Sequence, residues 1–105
     1  MSKSETLAIA PRLDIHGAFV RRIDLSDASL RGADLSGADA TNARFRSADF
    51  DGAVLRGTVL RGADLTGAKN LTFEQLAEAI VDDRTILPNY IDRAKLLEFI
   101  AKKHR

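Results

Sequence analysis

The chain has 105 residues, with 16 Lys+Arg against 15 Asp+Glu and no cysteine. That length suits one domain with a modest core, and balanced charge supplies no global field for nucleic acid or an anionic membrane. Without cysteine there is no disulfide framework, thiolate metal site or thiol catalysis.

Residues 1–12, MSKSETLAIAPR, form an N-terminal tail that is charged and lacks an apolar run of signal-peptide length. No stretch of the chain approaches the length of a membrane span, so a cytoplasmic protein is expected.

From Leu13 the sequence divides into fives: LDIHG, AFVRR, IDLSD, ASLRG, ADLSG, ADATN, ARFRS, ADFDG, AVLRG, TVLRG, ADLTG. The third places are Ile15, Val20, Leu25, Leu30, Leu35, Ala40, Phe45, Phe50, Leu55, Leu60 and Leu65. The first places are Ala except at Leu13, Ile23 and Thr58. A period of five matches neither an amphipathic helix nor an alternating strand, and a glycine at so many fifth places would break a helix. Residues two apart in an extended segment point the same way, so a short segment followed by a turn can repeat on an adjacent side. Four such sides close a square coil. Its narrow interior takes the third-place side chains, with small first-place residues beside them and glycine at the turns.

The tandem units resemble the pentapeptide repeat family, whose consensus is close to A(D/N)LxG. The resemblance covers residues 13–70 and implies a mainly β chain with C-terminal α structure: a right-handed quadrilateral β-helix of just under three coils. Residues n and n+20 then stack. The expected core is Ile15, Val20, Leu25, Leu30, Leu35, Phe45, Phe50, Leu55, Leu60 and Leu65, and Asn70 falls in the column of Leu30 and Phe50. Leu13 and Ile23 are expected to close the N-terminal end.

After Asn70 the period ends. Thr72 and Gln75 make a capping box before Phe73, Leu76, Ala77 and Ile80, which predicts a capping helix over about residues 73–83. RTILP then leaves extended, because Pro88 disfavours helix at Leu87; residues 71–88 are this cap and exit. Residues 89–105 hold a second helix, about 90–104. Tyr90, Ala94, Leu97 and Ala101 form one stripe flanked by Leu96 and Ile100, and Ile91 and Phe99 lie on another side. A helix apolar on more than one side has more than one neighbour. The two helices cap the coil, and the last one either packs back on the first helix and the coil wall or pairs with a second copy as a homodimer, with Leu96, Phe99 and Ile100 as the candidate contact residues.

Candidate chemistry is sparse. Gly32–Gly37 and Gly62–Gly67 have phosphate-loop spacing, yet neither is followed by Lys-Ser/Thr. Asp49 and Asp51 face outward together, two carboxylates being too few for a calcium site. Asp24–Arg44–Asp64 reads as alternating charge between rungs, and Asp14 lies above Asp34 with His16 nearby. His16 and His104 make no metal site by themselves. No cofactor, metal, small-molecule substrate or catalytic set is expected, and the chain reads as non-enzymatic.

Binding to a protein partner is the remaining category. Phe19 and Val59 stand at second places, where polar residues are usual, with Arg21 and Arg61 beside them; Val54 does the same on the adjoining side. Aromatic and arginine side chains together have the composition of an interface, the alternative being that the N-terminal tail or the last helix covers them. The resemblance also brings an alternative: family members of the quinolone-resistance type mimic DNA and bind DNA gyrase. Residues 13–70 hold eight Asp and eight Lys+Arg, which disfavours DNA mimicry.

Overall fold

The computed structural model describes residues 12–104, so the expected tail lies outside them except for Arg12. Each pentapeptide is built around one turn. The amide of each first-place residue donates to the third-place carbonyl before it, as Ala18 does to Ile15 and Ala38 to Leu35, both at 3.0 Å. The fifth-place residue stands third in that turn and takes the positive φ that a type II turn requires. Gly37 is at 69°, and Arg22, Asp27, Asn42 and Ser47 are held between 60° and 63° although they carry a Cβ.

Parallel bridges join residues twenty apart in four columns: Asp14–Asp34–Val54, Phe19–Asp39–Val59, Asp24–Arg44–Asp64 and Ser29–Asp49–Lys69. In the first column Ile15 donates to the carbonyl of Asp34, and the amide of Asp34 donates to that of Leu13, both at 2.9 Å. Among the described residues these bridges stay isolated and no continuous strand forms. The extended part of a unit is too short for one before the next turn begins.

Inside, Leu30, Leu35, Ala40, Phe45, Phe50, Leu55, Leu60 and Leu65 are buried, and Ile15, Val20 and Leu25 of the first rung are half-buried. Leu13 and Ile23 remain exposed at the same end. Thr58 is buried in place of an alanine because its hydroxyl donates to the carbonyl of Leu35 at 2.7 Å. Asn70 corrects the expected register: it is exposed with φ 64°, and Leu71 turns inward instead. The Asn70 amide donates to Asp49 Oδ1 at 2.9 Å, which holds that outward conformation.

Helix α1 spans Phe73–Glu78 and stops well short of residue 83. Helical periodicity loses to the ladder here. Ile80 bridges to Val59 and Ile86 to Asp64, so residues 79–87 add rungs to two columns without following the repeat consensus. Thr85 takes an inner place like that of Thr58, its hydroxyl donating to the carbonyl of Leu60 at 2.8 Å. Helix α2, Arg93–Lys103, is capped by Asp92, which accepts from the Lys95 amide.

Candidate interaction surfaces

The packed interior leaves the outside of the coil and its helical end as the places where chemistry can occur. Outside, the second-place aspartates have a local task. Asp14, Asp24, Asp34, Asp39, Asp49 and Asp64 each accept the backbone N–H two residues on, at 2.9–3.2 Å. This Asx arrangement holds the approach to the turn. Sequence position signals this role: each of these aspartates stands three residues before the positive-φ residue of its turn, a glycine at four of the six.

Side-chain hydrogen bonds, and after them these backbone bonds, favour the ionised carboxylates. Ser26 lowers the pKa of Asp24, Ser36 that of Asp34 and Thr41 that of Asp39. Asn70 lowers that of Asp49, and for Asp64 burial is outweighed by Thr66 and Arg46. Asp14 accepts from the His16 ring at 2.6 Å, which lowers the carboxyl pKa and raises that of His16. Asp14, His16 and Asp34 come within 4.8 Å of one another, a potential set of metal ligands in which Asp34 is already engaged by Ser36. His104 is at the far end, the C-cap of α2.

Charge pairing differs in part from the expected ladder. Arg44 meets Asp24 at 3.7 Å, whereas Asp64 pairs with Arg46 at 3.1 Å. The outward pair Asp49 and Asp51 shares the Arg31 guanidinium, at 3.2 and 2.9 Å.

Side chains close the helical end. Gln75 caps α1 and donates to the carbonyls of Phe50 and Ala53 at 2.9 and 3.0 Å. The Tyr90 hydroxyl donates to the Ala68 carbonyl at 2.6 Å and accepts from the Leu71 amide at 3.1 Å. Arg93 donates to the carbonyls of Asp82 and Thr85. These bonds seat α2, with Ile91 and Leu96 buried, Phe99 against Phe73 at 5.6 Å and Lys103 on Glu74 at 3.0 Å.

That seating corrects the expected contact surface. Leu96 is 1% exposed, and Phe99 and Ile100 are half-buried against their own chain, because α2 turns this side toward α1 and the core. The stripe left outside is Tyr90, Ala94, Leu97 and Ala101, with Leu97 55% exposed. Beside it lies a notch of about 160 Å³ lined by Val81, Asp82, Asp83, Arg93, Leu96 and Leu97.

On the wall, Phe19 is 82% exposed, so neither the described chain nor α2 covers it. Arg21 reaches Asp39 at 3.9 Å. Val59 is half-buried one rung above Ile80, and Arg61 is exposed. Two columns thus bring Phe19, Arg21, Val59 and Arg61 onto one side, with Asp39 between the apolar residues.

No curated protein matches the chain. A solved pentapeptide repeat protein, Rfr23 from the cyanobacterium Cyanothece 51142, is 28% identical with a TM-score of 0.64 over 73% of this chain and 52% of its own. A pentapeptide repeat protein from the Arabidopsis thaliana thylakoid lumen is 40% identical with a TM-score of 0.55, over 57% of this chain and 41% of its own. The chain therefore spans about half the length of these relatives. The pentapeptide repeats family model matches residues 13–46 and 41–69 with eight copies. Members of this family form right-handed β-helices and are generally non-enzymatic repeat scaffolds. With that match spread over more than half its length, the chain belongs to the pentapeptide repeat family.

Proposed function

We propose that the chain is a non-enzymatic protein-interaction module whose C-terminal helix pairs with a second copy. The scaffold is a four-sided coil of just under three turns of pentapeptides, a form supported by the twenty-residue spacing of its bridges. The observation that carries the pairing is the exposed stripe of Tyr90, Ala94, Leu97 and Ala101 beside the notch at Val81. Alanines at 94 and 101 permit close approach of another helix, and Leu97 between them supplies the apolar contact. A two-fold partner would present the same stripe in return.

Light scattering on the full chain tests this at about 50 µM, where micromolar association is visible. A dimer that becomes monomeric in Leu97→Glu is expected; a monomeric parent overturns the pairing. A DNA supercoiling assay with gyrase separates the module from a DNA mimic. Unchanged supercoiling is expected, and inhibition would favour the mimic.

A further inference from the structure

Among the fourth-place arginines, Arg21, Arg31 and Arg46 each reach a carboxylate within 4 Å. Arg56 and Arg61 make no ion pair among the described residues, and Arg61 acts on Asp39 only as a more distant charge. Both arginines are exposed. They stand in the two consecutive units AVLRG and TVLRG, where valine replaces the second-place aspartate.

In the six aspartate-bearing units that carboxylate accepts the N–H two residues on. Val54 and Val59 offer no acceptor, and the amides of Arg56 and Arg61 have none among the described residues. Each unit therefore leaves a backbone N–H and a guanidinium on the same residue where a carboxylate sits elsewhere in the coil. Val54 is 42% exposed and Ile80 38% exposed, which places apolar surface beside the two arginines on either side of the turn at Gly57.

We propose that these two units bind an acidic, apolar-bearing segment of a partner protein, whose carboxylates take the places of the missing aspartates. One carboxylate accepts from the Arg56 N–H and guanidinium, and a second does the same at Arg61. An apolar side chain between them rests on Val54, Val59 and Ile80. Charge-assisted bonds of this kind are the stronger ones, and an exposed site makes them salt-sensitive. The proposal rests on the reading of the chain as an interaction module, but it uses a surface distinct from α2.

The test is an NMR titration of the ¹⁵N-labelled full chain with an acidic hexapeptide carrying leucine between its carboxylates. The uncharged amide isostere of that peptide is the control. The acidic peptide is expected to shift the Arg56 and Arg61 amides, and the isostere to leave them in place. The double variant Val54→Asp, Val59→Asp restores the internal acceptors in the manner of neighbouring units, so it keeps the fold while weakening the peptide at least about tenfold. Unshifted amides, equal response to the isostere, or undiminished binding by the double variant each overturn the site. Binding to phosphatidylserine vesicles without binding to the peptide also overturns it, in favour of a lipid surface. Light scattering on the same samples keeps the readings apart: a dimer without peptide binding sinks this site alone, and a peptide-binding monomer sinks only the pairing.

Discussion

Phe45 and Phe50, one unit apart, meet with their ring centroids 5.4 Å apart and their planes tilted by 59°. Both are fully buried, so this tilted pair fills the middle of the coil where Ala40 leaves space on the preceding side. Phe50→Ala is expected to cost about 3–5 kcal/mol through the cavity it leaves. Ala48→Leu, at a wholly buried first place, is expected to cost about 1–3 kcal/mol through overpacking. Urea denaturation of both variants checks this, and an unchanged midpoint for either would place that residue outside the core.

Gly37 tests the turn. With φ at 69°, an alanine there enters the left-handed region, although its Cβ would meet only ordinary contacts with Gly17 at 3.9 Å. The expected cost is therefore conformational, about 1 kcal/mol. A matching loss in thermal stability, with the circular dichroism of the folded state preserved, is the outcome to look for. No loss would show that the turn relaxes to accommodate the Cβ.

Tyr90 tests the closed end. Tyr90→Phe keeps the ring but removes the partner of the Ala68 carbonyl and the Leu71 amide. Leaving these backbone groups unpaired is expected to cost about 1–3 kcal/mol. Hydrogen exchange at the Leu71 amide reads the effect locally: faster exchange is expected, and unchanged protection would show that solvent or another group replaces the hydroxyl.

The register and the central packing were legible in the sequence because a fixed period determines which residues face inward. Phe45 and Phe50 were readable from position alone. The boundary of α1 was not. Phe73, Leu76, Ala77 and Ile80 have helical spacing, yet Ile80 gains more by hydrogen bonding across to Thr58 and Leu60 than by continuing the helix. The helical spacing within residues 73–80 carries no information about a partner rung more than twenty residues away. Asn70 failed for a similar reason, since a bond to Asp49 on the rung above determines its conformation. The apolar residues of α2 were identified, but which of them faced their own chain depended on how Tyr90 and Arg93 seat the helix. The open amides of Arg56 and Arg61 became visible only once the aspartate bonds of the other units were seen.

The aspartate bonds also give stability a pH dependence. Their carboxyl pKa values are lowered from 3.8, so their contribution is present above that value and is lost as pH falls through the lower folded values. His16 has the opposite sign. Its pKa is raised from 6.5, so the pairing with Asp14 stabilises below that value and fades as pH rises through the folded one. Urea midpoints are expected to decline below about pH 4. A smaller decline at the alkaline side of the histidine range is expected to vanish in Asp14→Asn. Midpoints flat across both ranges would mean these bonds persist equally in the unfolded chain.

A backbone ladder ordinarily hands its pattern on, because every strand that accepts a neighbour exposes a fresh row of donors and acceptors. Beneath the last rungs, Tyr90 and Arg93 occupy carbonyls of Ala68, Asp82 and Thr85 with side-chain donors. A phenol and a guanidinium satisfy those groups without offering another peptide edge in return. At the helical end the coil thus terminates its own propagation, and a second copy meeting that end would find side chains and shape to recognise, not a backbone edge on which to prolong the helix into a fibre.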